Sequence, residues 1–225
     1  MEIFDHISIN LNPDKVGKKL LIKGAGDWAQ FQTLLETVKP LILPKAAYRV
    51  RYVSEKDEDG VIVDGVYFRS RVLRKNLDGV ERIFPYVVTI GSDLEERISL
   101  SQDLLEKYYL DTIGNIALVE TRRYLEAKLR FRFSLEGLSY MSPGSLKDWG
   151  IEEQSSLFLV LDGVENSIGV ELNDTLIMIP RKSVSGIYFA TNITFHNCQL
   201  CPRERCGTRK ADFNEEMTRK YGIGE

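Results

Sequence analysis

The spacing of apolar residues changes from helical to strand-like along the first half of the chain. Two helices are predicted within residues 12–39, because Asn12 followed by Pro13 is a favourable helix start and Pro40 ends the second helix. Period-two alternation and turn residues then predict an antiparallel meander. Its strands are expected at residues 47–53, 61–73 and 81–90, with turns at 57–60 and 77–79.

The second half of the chain begins with a long helical pattern. Residues 101–130 are predicted as one helix that starts at Ser101, and its apolar face also carries Glu120. A helix at 151–162 follows, and the apolar, β-branched segments 176–179 and 184–189 suit central strands. This order of elements predicts an α+β fold, a single domain with a twisted antiparallel sheet flanked by helices. Within residues 1–225, segment 1–45 holds the N-terminal helices and 196–225 is a cysteine-containing tail.

Composition limits the classes of protein that fit. The chain has 225 residues, of which 43% are hydrophobic and 28% charged, so it can bury a core. A net charge of −3 does not favour general binding to nucleic acid, which is itself negatively charged. No apolar run approaches the roughly 18 residues that span a bilayer, and the N-terminus lacks the pattern of a secretory signal. We therefore expect a cytoplasmic protein without membrane or nucleic-acid partners.

Two local patterns exclude common chemistries. Gly24-Ala-Gly26-Asp-Trp-Ala29 matches the dinucleotide pattern G-x-G-x-x-[GA], but its helix runs into Pro40 and no acid closes a second strand, so we interpret it as a helix–helix turn. The only histidines are His6 and His196, which argues against serine-hydrolase triads and multi-histidine metal sites. Neither follows an Asp two residues earlier, so the cobalamin-ligating signature Asp-x-His-x-x-Gly is absent.

A series of motifs between about residues 85 and 190 resembles a known family. In chain order they are Ser142-Pro-Gly144, Glu152-Glu-Gln154, Ile168-Gly169, Met178-Ile-Pro180 and Ser183-Val-Ser-Gly186-Ile-Tyr-Phe. This order resembles the reactivation domain of cobalamin-dependent methionine synthase. Ile90-Gly-Ser-Asp-Leu-Glu-Glu96 and Leu110-Asp-Thr-Ile-Gly114 are similar to segments of its stand-alone members.

The resemblance implies a function in methionine biosynthesis, as a component and not as a complete methyltransferase. The domain would bind S-adenosylmethionine as methyl donor and reductively reactivate cob(II)alamin on a partner methionine synthase that lacks its own reactivation domain. A flavodoxin-like protein would supply the electron. Cobalamin would be carried only by the partner, and no catalytic residue is assigned in this chain. The implied ligand-binding residues are Glu120, Tyr140, Ser142, Pro143, Gly144, Ser145, Ser183, Val184, Ser185 and Gly186.

Each of these assignments has a structural alternative. The Ser-Pro-Gly segment is either a ligand loop or a plain turn, and Ser183 and Ser185 share one strand face whether or not they contact a ligand. Glu120 is either a ligand carboxylate or half of a salt bridge. The family has Arg four residues before the glycine and Tyr just after it, where this chain has Tyr140 and Ser145. Arg181 or Lys182 are candidates to replace that arginine, which in the family helps to hold the ligand's carboxylate.

The cysteine tail adds a second candidate site. Cys198, Cys201 and Cys206 have the spacing C-x2-C-x4-C, and with His196 they can form a zinc site. Alternatively, the three thiolates hold an iron–sulfur cluster, or they are free thiols. Arg203, Arg205 and Arg209 suit docking of an acidic donor or are simply solvated. A rival function is therefore a redox or scaffold module for another corrinoid methyltransferase that does not bind S-adenosylmethionine. A third is a structural protein that caps a cobalamin domain.

Overall fold

The structure is a computed structural model that describes residues 1–192, 195–206 and 209–223. The strands are β1 (Glu2–Phe4), β2 (Lys45–Tyr48), β3 (Arg51–Lys56), β4 (Gly60–Val63), β5 (Val66–Arg69), β6 (Arg82–Thr89), β7 (Leu138–Met141), β8 (Glu171–Leu172), β9 (Met178–Ile179) and β10 (Ser183–Ala190). The helices are α1 (Pro13–Lys19), α2 (Ala25–Val38), α3 (Arg71–Asn76), α4 (Asp93–Leu100), α5 (Leu104–Phe133), α6 (Glu153–Leu161), α7 (Val164–Ile168) and α8 (Glu215–Tyr221). Short 3₁₀ turns lie at Lys39–Leu41 and Asn197–Leu200.

An antiparallel sheet organises the molecule around β6 and β10. One edge of β6 pairs with β10 from Ser183↔Thr89 to Phe189↔Ile83, and the other edge pairs with β2 and then β3. Strand β10 also pairs with β7, which ends the sheet on that side. Both central strands are buried on both faces, which is why β6 and the second half of β10 are rich in apolar residues. The arrangement confirms the predicted single-domain α+β fold with flanking helices.

The two faces of the sheet pack against different helices. On one face, Tyr86 and Tyr188 pack with Leu125 and Leu129 of α5. The opposite face, which includes Ile187 and Phe189, packs against α6 and the tail. A third cluster joins α1 and α2 to the first half of α5. The side chain of Asn12 caps α1 by accepting a hydrogen bond from Lys15 N at 3.0 Å, and the Gly24 segment passes directly into α2 as predicted.

Several predicted strands are shorter than expected. Residues 47–53 belong to two strands, β2 and β3, that meet different parts of β6. Residues 61–73 form a hairpin that reverses at Asp64-Gly65, where φ is +50° and +80°, and then enter α3. The turn predicted at 77–79 therefore ends α3 and does not join two strands. Segment 176–179 is peripheral, because only Met178–Ile179 pairs, with β8, whereas 184–189 is central as predicted.

The helix boundaries also differ from those predicted from the sequence. The long helix begins at Leu104, because the Asp103 side chain caps it by accepting from Leu105 N at 2.8 Å. Ser101 instead ends α4, a helix that the spacing did not reveal. The N-terminal segment 1–45 contains β1 as well as helices, and β1 pairs with β2.

The C-terminal tail packs onto the domain. Phe195 and Leu200 are buried in the core on the α6 side. Tyr221 Oη donates to Asn76 Oδ1 at 2.9 Å, which ties α8 to α3. Residues 207–208 and 224–225 of the predicted tail lie outside the described residues. Among the helices that the structure describes, none combines the length and apolarity needed to cross a bilayer.

Candidate functional site

The Ser142–Ser145 turn leaves the edge strand β7. Ser145 N donates to Ser142 O at 3.2 Å, and Gly144 has a φ of +76°. Proline in the second position and a left-handed glycine in the third are the residues that a type II turn requires. Gly144 N donates to Trp149 O at 2.8 Å, so the turn is held by the loop that follows it.

The structure brings the turn and Gly186 together, although Gly144 and Gly186 are 42 residues apart in the chain. The pairing Ile187↔Met141 places Gly186 opposite the start of the turn. A Cβ on Gly186 would overlap the carbonyl oxygen of Met141 and lie 2.9 Å from Ser142 Oγ. Glycine is therefore required for the close approach of these two segments.

The two serines of β10 form hydrogen bonds inside the protein. Ser183 Oγ bonds to Thr89 Oγ1 at 2.9 Å and to Pro180 O at 2.7 Å. Ser185 Oγ donates to Gln154 Oε1 of α6 at 2.8 Å. Val184 lies between them and packs on the α5 side of the sheet. The alternation is as predicted, while contact of these residues with a ligand stays a prediction.

Tyr140 lies between two cations on the α5 side of the turn. The guanidinium of Arg122 lies 4.2 Å from the centroid of the Tyr140 ring, and it donates to Tyr188 Oη at 3.0 Å. The Lys210 ammonium lies 5.0 Å from the same centroid and donates to Tyr140 Oη. Tyr140 thus joins α5, the sheet and the tail.

The other predicted cations and the predicted carboxylate have partners of their own. Arg123 forms a salt bridge with Glu120 at 2.5 Å, which is the structural alternative for that acid. Arg181 pairs with Glu95 at 3.5 Å, and Lys182 pairs with Asp111 at 2.5 Å. A ligand contact by Glu120 stays a prediction.

A cavity of about 1070 Å³ lies on the other side of the turn, against the tail. Its lining includes Gly144, Ile151, Leu200, Phe213 and Ile223, and it is mainly apolar. Sequence reasoning did not find Phe213 or α8. The sequence did contain a signal for the start of α8: Asn214 is a favourable capping residue, and the acids Glu215 and Glu216 follow it in the first turn.

In the described part of the chain, three buried polar atoms close to the loop of residues 142–149 have no hydrogen-bond partner. They are Tyr86 Oη, Trp149 Nε1 and Asn197 Oδ1. Tyr86 Oη lies near Ser142 without acceptable hydrogen-bond geometry, and Asn197 Nδ2 donates to Ser145 Oγ at 2.5 Å. An unpaired buried polar atom costs about 1–3 kcal/mol. Tyr86 and Trp149 belong to clusters on opposite faces of the sheet, and none of the three residues lines the cavity.

Comparison with known proteins supports the fold. No family model and no curated protein matches the chain. A solved structure of the MetH reactivation domain bound to AdoHcy aligns with a TM-score of 0.60 and 13% identity, covering 87% of this chain and 81% of that one. The chain has the fold of the MetH reactivation domain. At this identity, the similarity establishes the fold alone.

Within this reactivation-domain fold, the described part of the cysteine tail contains no grouped metal ligands. No three His, Cys, Asp or Glu side chains in residues 1–192, 195–206 and 209–223 group as metal ligands. Cys198 Sγ accepts from Lys210 N at 3.4 Å, and Cys201 lines the cavity. The described residues therefore offer no formed donor set for zinc or a cluster, and metal binding by Cys198, Cys201 and Cys206 stays a prediction.

Proposed function

We propose that this chain binds S-adenosylmethionine at the Ser142–Ser145 turn and acts in the reductive reactivation of cobalamin on a partner methionine synthase. The observation that carries the proposal is the mainly apolar cavity of about 1070 Å³ that lies beside this turn and is lined by Gly144 and Ser145. The AdoHcy bound to the fold neighbour supports the same class of ligand.

The residues of this chain would bind and orient the ligand. Gly144 lets it approach the backbone, since no Cβ lies in the way. Phe213 and Ile151 offer apolar surface for an adenine ring and exclude water. The bound S-adenosylmethionine would supply the methyl group, and the cobalt that accepts it belongs to the partner. A flavodoxin-like donor would provide the electron, so the chain itself contributes positioning.

Ligand binding is tested by calorimetric titration with S-adenosylhomocysteine. The wild-type chain should bind it, and Gly144→Val should weaken binding at least about tenfold, because the new side chain would lie against Ile151, whose Cδ1 is 3.1 Å from the Cβ position. Gly169→Val is the matched control, since Gly169 also has a positive φ of +73° but has open space around it. A wild-type chain that shows no saturation would refute the proposal and favour the redox or scaffold alternative.

Partnership is tested with a cobalamin-loaded methionine synthase that lacks a reactivation domain. The isolated chain should purify without cobalamin and should bind the cob(II)alamin form more tightly than the methylcobalamin form, because a module that shifts an equilibrium must discriminate between its states. Equal affinity for the two forms would argue against reactivation.

A further inference from the structure

Two cysteines of the tail lie at the ends of one 3₁₀ turn. Cys198 is within the turn Asn197–Leu200, and Cys201 follows it and donates its N–H to Cys198 O at 3.3 Å. Because a 3₁₀ helix has three residues per turn, side chains three residues apart align, and their Cα atoms lie about 6 Å apart. A disulfide requires Cα atoms about 4.4–6.8 Å apart, and both side chains are half-buried thiols. The turn is therefore compatible with a disulfide between Cys198 and Cys201.

The backbone of this turn is held by neighbouring parts of the molecule. Arg209 donates to Cys198 O at 3.2 Å and to Cys201 O at 3.3 Å, so one guanidinium joins both ends of the turn. Leu200, which lies between the two cysteines, is buried in the core. Because the backbone already has the spacing that a disulfide needs, the two thiols can pair by rotation of their side chains.

The surroundings of the turn favour an anionic reaction partner. Cations outnumber acids within residues 203–212, and these cations are Arg203, Arg205, Arg209 and Lys210. Cys201 also lines the cavity of about 1070 Å³, so a small molecule in that cavity can reach its thiol. A low-molecular-weight disulfide that carries carboxylates, such as oxidised glutathione, combines negative charge with an oxidising sulfur–sulfur bond.

We infer that Cys198 and Cys201 are a redox-active dithiol that an anionic low-molecular-weight disulfide oxidises. The thiolate of Cys201 attacks one sulfur of oxidised glutathione, which forms a mixed disulfide and releases one glutathione thiolate. The thiolate of Cys198 then attacks the Cys201 sulfur, which forms the intramolecular disulfide and releases the second glutathione thiolate. The two cysteines lose two electrons and two protons, and two molecules of reduced glutathione gain them. Because Cys201 lines the cavity, closing the disulfide changes part of the cavity wall.

Peptide mapping after reaction with oxidised glutathione tests the inference. The reduced wild-type chain is treated with the reagent, and the remaining thiols are alkylated before digestion with trypsin. The peptide of residues 183–203 contains both Cys198 and Cys201, and it should take up no alkylating reagent and weigh two hydrogen atoms less than its reduced form. Cys198→Ser should stop at a mixed disulfide on Cys201. Cys206→Ser is the matched control and should react as the wild-type chain does, because Cys206 lies in a separate tryptic peptide.

Ionic strength tests the role of charge in the same reaction. Oxidation by oxidised glutathione should slow several-fold between about 0.01 M and about 1 M salt, because salt screens the attraction to the cations, whereas oxidation by uncharged hydroxyethyl disulfide should keep its rate. The same salt dependence for both reagents would overturn the assignment of an anionic partner. A chain that stays fully reduced, a disulfide that joins Cys206 to another cysteine, or a bound metal that protects all three thiols would overturn the dithiol. None of these measurements requires an adenosyl ligand, so the inference stands or falls separately from the proposed function.

Discussion

At the scale of single residues, we expect the hydroxyl of Ser185, in the central strand β10, to contribute to the stability of the fold. Its hydroxyl donates to Gln154 Oε1 at 2.8 Å, and both side chains are buried. Ser185→Ala should lower the free energy of unfolding by about 1–3 kcal/mol, because Gln154 keeps a buried acceptor without a donor. Urea denaturation measures this, with the exposed Ser155→Ala as control. A parallel loss of S-adenosylhomocysteine affinity would show that Ser185 also contacts the ligand.

Glu153 gives a pH-dependent prediction. Burial raises its pKa above the ordinary value of 4.5, so the folded chain holds the proton more tightly than the unfolded chain does. The resulting stability is present below pH 4.5 and is lost as the pH rises through the folded pKa. Glu153→Gln should therefore raise Tm at neutral pH and have less effect at acidic pH. Thermal scans across this range test it, and the exposed Glu165→Gln should show no such trend.

At the scale of elements, two glycines should respond oppositely to alanine. Gly186→Ala places a Cβ against the backbone of Met141, so β7 must move away from β10, and we expect a loss of more than about 2 kcal/mol. Gly26→Ala lies within α2 with open space around it and should add about 0.5–1 kcal/mol. Chemical denaturation compares them, and similar values for both would contradict the strand contact.

Elements with local signals were predictable, and those that depend on distant partners were not. Helices α1 and α2 have a cap and prolines in the sequence, and β6 and β10 have dense apolar runs. In contrast, the alternation of 61–73 continues through Asp64-Gly65, which forms the turn because β4 and β5 pair with each other. The short peripheral strand at Met178 looked central because apolar composition does not specify the neighbour.

The candidate site was predictable only in part for the same reason. The Ser-Pro-Gly motif predicted the turn, and only the family resemblance assigned this turn and Ser183–Gly186 to one ligand site. Arg122 was not found, because a charged residue on a long helix shows no sign in the sequence that it will be buried against Tyr140. Lys210 depends on a tail whose path over β7 no local pattern encodes.

At the scale of the whole molecule, the tail is part of the core. Phe195 and Leu200 are buried, and Met217 and Tyr221 pack against the same cluster. A chain that ends at Asn192 should lose roughly 10 °C or more in Tm, because it exposes several large apolar side chains. Calorimetry compares it with a chain that ends at Ile223, which should unfold like the full-length protein. An unchanged Tm for the chain that ends at Asn192 would mean that the tail does not contribute to the stability of the domain.

The place of β10 in the sheet has a consequence for synthesis on the ribosome. Strand β6 is complete at Thr89, but its neighbour β10 is made only after residue 182, and among the described strands β7 pairs with β10 alone. During translation of the intervening residues, one apolar edge of β6 has no native neighbour. Such an edge pairs readily with other chains. Nascent chains that stall before β10 emerges are therefore expected to need a chaperone.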